Sequence, residues 1–284
     1  MKRSGGLLLL WALLLSRGLS QPDRVHFAIR FVGESGFTTP AGTHAYRETR
    51  YQLNDTPEHA WGYRHRYRVF DLPKAEGPAE DAPAPLTNGH LHATGPVFRL
   101  HARCARLTLH PLVAVSSNVL RDQRDLEMSD LQLHARIAWG ARDALEPGWS
   151  GGIVSDTRWG RQRVYPFLSW QSDPEHPVWL RAGFPDSSLH WTPANAWAVQ
   201  VDVGPSGGVW RTRDADFQQR GTFRQQGGQV TATVTRHLCA HLSVSLGLEH
   251  EFARQWEVPL ENGETDRLRP PADTRGTLAV SLRF

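Results

Sequence analysis

Lysine is almost missing from this chain. Of its 32 Lys and Arg residues only Lys2 and Lys74 are lysines. The arginines are spread along the whole length and form no recognition motif, which argues against nucleic acid as a partner. Arginine suits fixed, paired charges in a confined lumen, or contact with lipid phosphates; a GC-rich genome produces the same bias. Cysteine is reduced to Cys104 and Cys239, too few for a thiolate cluster or a disulfide framework. The two lie in similar short turns, "ARCARL" and "HLCAHL". A barrel of a dozen strands would hold those turns beyond the ~7 Å Cα limit of a disulfide, so two free thiols are expected. No long apolar run follows residue 20, which excludes a membrane-spanning helix. Yet there are 11 tryptophans at a mean hydropathy of −0.46. The apolar residues are therefore dispersed rather than massed.

The one apolar block lies at the start. Lys2 and Arg3 precede "LLLLWALLL" (7–15), and Gly18 and Ser20 place small residues before a cut at Gln21. This is the pattern of a secretory signal peptide over residues 1–20. The block is far short of a spanning helix, although an uncleaved anchor is the alternative. Residues 21–284 are then one domain.

What the chain has in quantity is alternation. In "RVHFAIRF", Val25, Phe27, Ile29 and Phe31 share a face opposite His26 and Arg30. Leu131, Leu133, Ala135, Ile137 and Trp139 oppose Gln132, His134 and Arg136. Trp197, Val199, Val201 and Val203 oppose Gln200 and Asp202; Leu242, Val244, Leu246 and Leu248 oppose His241, Ser243, Ser245 and Glu249. An apolar face against a charged one, with Trp139, Trp179, Trp197 and Tyr63 near strand ends, predicts an all-β transmembrane antiparallel up-and-down barrel with aromatic girdles. In lipid such a sheet must close, because an edge has no solvent. A secreted soluble barrel or sandwich shares part of the pattern.

The predicted strands number thirteen, and single-chain bacterial barrels usually have an even number. The doubtful segment is "VWLRAGFPDSSLHW" (178–191), where Pro185 interrupts pairing. Twelve strands are expected, with fourteen close behind. Residues 72–89 and 257–274 read as long extracellular loops, and "TPANA" (192–196) as a short periplasmic turn.

The chain ends "GTLAVSLRF", with Leu278, Val280, Leu282 and Phe284 alternating to the last residue. This terminus resembles the assembly signal of bacterial outer-membrane barrels. The resemblance implies an outer-membrane location in a Gram-negative bacterium, with outer-membrane lipids, periplasmic chaperones and the barrel-assembly machinery as partners. Residues 165–213, with Gly183-Phe184-Pro185, Trp191, Trp197 and Gly207-Gly208 before Trp210, resemble a family of uncharacterised outer-membrane β-barrel proteins known only as a domain of unknown function. That family brings fold and location but no catalytic residues.

The candidate chemistry is sparse. His241 and Ser243 are two apart, so on one strand both side chains enter the lumen. Some outer-membrane lipid hydrolases carry a His-x-Ser pair, but on the lipid face and followed by Asn, where this chain has Val244. Arg64, Arg66 and Arg68 form an inward column, with Glu48 and Arg50 on the neighbouring strand; His134, Arg136 and Asp202 also point inward. They read either as an anion-attracting constriction or as a lumen packed by Arg–carboxylate pairs. His90 and His92, with His26, His44, His134 and His237, are further inward candidates, but no spacing makes a metal site. Gly151-Gly152, Gly207-Gly208 and Gly227-Gly228 precede no helix, so they mark bends or bulges rather than phosphate loops. The expectation is a structural barrel or a narrow small-solute channel without cofactor or metal. The alternatives are a lipid hydrolase using His241 and Ser243, or a secreted soluble β protein.

Overall fold

A computed structural model describes residues 26–39, 42–53, 60–71, 89–102, 105–121, 126–140, 146–213, 219–260 and 262–283. Residues 1–25, with the predicted signal peptide, residues 72–88, Cys104 and Phe284 lie outside them, as does the side chain of Glu48.

Among the described residues the predicted alternating runs become strand, apart from His241 at the start of one. The order is β1 (His26–Thr39), β2 (Gly42–Leu53), β3 (Trp61–Asp71), β4 (His90–His101), β5 (Ala105–Ser116), a short helix α1 (Ser117–Arg121), then β6 (Leu131–Gly140), β7 (Gly148–Asp156) and β8 (Arg163–Gln171). There follow β9 (Val178–Phe184), β10 (Ser187–Ala194), β11 (Trp197–Arg213), β12 (Arg220–Cys239), β13 (Leu242–Pro259), β14 (Thr265–Leu268) and β15 (Asp273–Arg283). Each strand from β1 to β13 pairs antiparallel with the next. β15 pairs with both β13 and β1 and closes the ring. Fourteen strands form a transmembrane up-and-down barrel; β14 is a short addition to the end of β13.

The strand count corrects the expected twelve, and Pro185 is the reason. It has no N–H to donate to a ladder, and the segment turns at Pro185 and Asp186 into β9 and β10, which pair with each other. Residues 257–274 are also not an open loop. Asn262 and Gly263 turn the chain, Gly263 at φ 83°, and β14 returns along β13 with Glu257 opposite Arg267. The start of β1 and the end of β15 lie at one rim, here the near rim, which also carries the Asn195-Ala196 turn. The end of β3, the start of β4 and the β14 hairpin belong to the opposite, far rim.

One register parity runs round the ring: Arg30 faces Arg50, Arg50 faces Arg66, Arg66 faces Ala93, and Ala93 faces Ala114. Charged and small residues fall inside; Leu133, Val201 and Leu246 fall outside. Leu133 is 52 % and Leu246 62 % exposed on the bare protein, with Ile153, Leu168 and Leu189 beside them. A continuous apolar belt of this kind is solvated by hydrocarbon, not by water. Trp139, Trp149, Trp170, Trp191 and Trp197 are exposed on the same surface towards the near rim, forming a girdle. Trp179 does not belong to it. It points inward and stacks on His190, ring centroids 3.6 Å apart, because the β9–β10 register pairs the two residues.

Strand length is uneven. β6 to β10 have 7–10 residues each, close to the ~9–11 that cross a bilayer. β11, β12 and β13 have 17, 20 and 18, so they overhang the far rim. The overhang bends inward along one line. Gly207-Gly208 on β11 face Gln226 and Gln225; Gly227-Gly228 on β12 sit at a bulge; Ala253 on β13 has φ 51°. A Cβ on Gly207 would stand 2.3 Å from the Gln225 carbonyl oxygen and 2.6 Å from that of Arg158, so only glycine lets the strand come so close. Bulges and strand glycines bend sheets in this way.

Candidate functional site: an arginine-lined lumen under a folded sheet

The overhang crosses the far mouth and seats on the opposite wall. Arg211 of β11 makes a parallel bridge to Val115 of β5. Trp210, Phe223 and Trp256, one from each long strand, pack on Leu91, Leu112 and Ala114 of β4 and β5. Trp256 is 0 % and Trp210 1 % exposed. The rings lie 5.8 Å (Trp210–Phe223) and 6.1 Å (Phe223–Trp256) apart, in the tilted and edge arrangements that aromatic pairs favour. Polar ties flank the knot. Arg68 donates to Gln225 and lies 5.1 Å over Trp210. Gln132 donates to the Val209 carbonyl at 2.8 Å, Asn118 of α1 donates to the Arg213 carbonyl, and Arg213 meets Asp130 at 3.5 Å.

Below this cover the lumen divides into two halves. On the side of β1, β2, β13 and β15 it is packed by ion pairs. Glu249 accepts from Arg275 at 2.9 Å and from Arg50 at 3.3 Å. Arg275 also reaches Glu251 at 2.9 Å, and Ser206 donates to Glu251 at 2.7 Å. All of Glu249, Glu251 and Arg275 are buried. Mutual pairing is what makes such burial tolerable.

The side of β3 to β9 encloses a cavity of about 460 Å³. Arg64, Arg99, Arg136 and Arg181 line it from four strands, with Arg158 at its far end; Asp156 and Asp186 are the carboxylates of the lining. Both acids are committed to Arg158. Its Nε donates to Asp156 at 2.7 Å, its Nη1 to Asp186 at 2.7 Å, and Tyr165 donates its hydroxyl to Asp156 at 2.7 Å. Arg136 lies 4.1 Å over the buried Phe167 ring, which orients the guanidinium. Among the described lining residues five guanidiniums stand with two carboxylates, in a low-dielectric setting where charge acts at longer range.

The predicted lumen residues fall as follows. Arg64 and Arg136 line the cavity. Arg66 lies in register between Arg50 and Ala93, and Arg50 joins the ion-paired half. Arg68 holds the folded sheet. His134 also lines the cavity and bonds to Thr157 at 3.0 Å. Asp202 accepts from Gln200 at 2.8 and 2.9 Å. Glu48 faces Arg68 in register, but its side chain is outside the described residues. Leu278 and Leu282 alternate on β15 opposite Phe31 and Phe27, with Val280 opposite Ile29.

Two histidine expectations change. His90 and His92 point outward, since the odd-numbered β4 residues take the inward positions; both stack on Tyr67. His241 is not on a strand with Ser243. It lies in the turn before β13, exposed, and donates from Nδ1 to the Arg283 carbonyl at 2.8 Å. Ser243 faces His237 and Ser281 on the inner wall. A base and nucleophile need mutual hydrogen-bond reach, and this ring nitrogen is occupied by backbone. Cys239 is a free, exposed thiol.

Glu251, Arg158, Asp186, Phe223 and Trp256 were not named from the sequence; Glu249 was read only as part of a polar face and Trp210 only as part of the resembling segment. "LEHEF" carried a signal: two acids two apart must share the inner face. Arg158 carried none, because it sits in a turn.

No protein-family model matches the chain, and no curated protein matches it in sequence. Solved structures do resemble it in chain path. The NanC porin aligns over 91 % of this chain and 100 % of its own, at 8 % identity and TM-score 0.42. An outer-membrane channel from Pseudomonas putida F1 aligns over 93 % and 97 %, at 9 % identity and TM-score 0.40. The outer-membrane protease OmpT from Escherichia coli aligns over 93 % and 98 %, at 11 % identity and TM-score 0.24.

Proposed function

We propose that this protein is an outer-membrane barrel of a Gram-negative bacterium that forms a narrow channel for small anionic solutes. The closed sheet, the apolar belt and the near-rim tryptophans support the membrane setting. The observation that carries the channel reading is the arginine-rich cavity on the β3–β9 side, where arginines from four strands converge while ion pairs bridge the opposite half of the lumen. A ring of fixed guanidiniums attracts anions and repels cations. The passage is narrow because ion pairs and the folded overhang occupy the rest of the cross-section.

Planar-bilayer recording in a salt gradient tests this. Small unitary conductance with anion preference is expected. Arg136→Gln with Arg181→Gln should move the reversal potential towards cations, with heat-modifiable migration unchanged. A wild-type channel that favours cations, or a reversal potential unmoved by the pair, refutes the anion path. The packed half supports a second reading, a purely structural barrel. Absence of conductance in wild type and in a variant with the overhang released would establish it.

A further inference from the structure

The outer face of the overhang carries charge that the lumen does not explain. Glu257 of β13 points away from the barrel and meets three guanidiniums: Arg224 at 2.7 Å, Arg267 at 3.7 Å and Arg161 at 4.0 Å. One carboxylate cannot neutralise three cations. The Arg161 and Arg267 side chains are 62 % and 69 % exposed, so their donors remain available to a ligand. They surround a polar cleft of about 250 Å³. A second cleft of about 580 Å³ shares Arg161 and Arg224 with the first and adds Arg211. Its floor is Leu131 and Leu133, which face outward on β6 and belong to the far edge of the apolar belt.

The two clefts form one amphipathic groove. Cations stand at the rim, and an apolar strip runs from them into the belt. Guanidiniums bind phosphate oxygens in pairs of parallel hydrogen bonds, which suits this cluster better than a point charge would. A free phosphate would leave the leucine floor unused, and an acidic peptide would not follow it into hydrocarbon.

We propose that this groove binds a phosphorylated lipid of the surrounding leaflet, its phosphates on Arg161, Arg224 and Arg267 and an acyl chain over Leu131 and Leu133. The proposal rests on the membrane reading of the belt and is independent of the channel. Arg211 holds the second cleft's upper wall, donating to Thr222 at 2.6 Å. Bound lipid would bridge the overhang to β6 and β7 from outside, as the aromatic knot bridges it to β4 and β5 from within.

The test uses the mature protein in neutral detergent and native mass spectrometry. Three probes are titrated: a bisphosphorylated disaccharide lipid, the same lipid with both phosphates removed, and inorganic phosphate. The phosphorylated lipid should bind about tenfold or more tightly than the dephosphorylated one. Arg161→Gln with Arg224→Gln and Arg267→Gln should abolish that difference, and Leu133→Ser should weaken the lipid without changing phosphate binding. Conductance should be unaffected by all of these, which separates this site from the lumen. Equal affinity for the two lipids, an unaltered triple variant, or full displacement of lipid by inorganic phosphate would overturn the proposal. Should the triple variant fail to refold, Arg267→Gln alone reads the same difference at an exposed side chain.

Discussion

The two sides of this barrel solve the same problem differently. The β6–β10 wall is barely longer than a bilayer crossing, and its stability depends on what lies outside: Ile153, Leu168 and Leu189 against acyl chains, with Trp149 and Trp170 at the near rim. The β11–β13 wall is about twice as long and keeps its overhang by turning it inward. There Trp210, Phe223 and Trp256 make a water-soluble type of core inside a membrane protein. One wall uses the hydrocarbon as its apolar partner, and the other supplies its own.

Trp256→Ala should have the largest effect, because it removes the centre of the knot. Loss of a fully buried aromatic costs about 3–5 kcal/mol, enough to release the overhang while the fourteen-strand ring persists. Conductance should rise several-fold, and limited proteolysis should cut within 252–259. The same change at Trp170, on the lipid-facing side, should leave conductance as it is. Equal conductance in the Trp256 variant and wild type would mean that the overhang does not restrict the mouth.

A charge on the outer face divides the walls a second time. Leu168→Arg, on a short strand within the belt, should cost about 2–4 kcal/mol of folding into bilayers, measured by denaturant titration in vesicles. Thr265→Arg, on the exposed strand β14 that extends the overhang, should stay within about 0.5 kcal/mol, as surface changes in water usually do. Similar costs at the two positions would show that the overhang is also immersed in lipid.

The sequence disclosed the short wall better than the long one. Period-2 alternation with apolar residues on one face is a local signal, and it located β6 almost to the residue, Leu131 to Trp139 within Leu131–Gly140. It also exposed the inward arginines, since parity alone places Arg64, Arg66 and Arg68. The inward fold of the overhang is non-local. Trp210 alternates correctly on either reading, and nothing local says that its partner is Leu91 rather than lipid or water. The glycine pairs were legible as bends, but the common height of those on β11 and β12, level with Ala253 on β13, emerges only once the registers are known. Pro185 was visible as an interruption; whether it bulged one strand or separated two depended on which residues found partners.

The smallest predicted effect concerns the outermost tie of the overhang. Arg220, at the start of β12, donates two hydrogen bonds to the Glu127 carboxylate beyond α1. The Arg220 hydrogen bonds come first among the causes that hold the Glu127 carboxyl below its usual range, and the Arg220 and Arg213 charges act in the same direction. A carboxylate with a depressed folded-state pKa contributes in full above its ordinary value of about 4.3, and that contribution is lost as pH falls through the lower folded value. Acidification below pH ~4 should therefore loosen this corner, seen as faster cleavage beside Arg220 by a protease active from acid to neutral pH. Glu127→Gln should cut at the loosened rate already at neutral pH and show less dependence on acid. The pair is solvent-exposed and screened by salt, so both effects should shrink in high salt. A Glu127→Gln variant that keeps the wild-type acid profile would assign the pH response to groups other than Glu127.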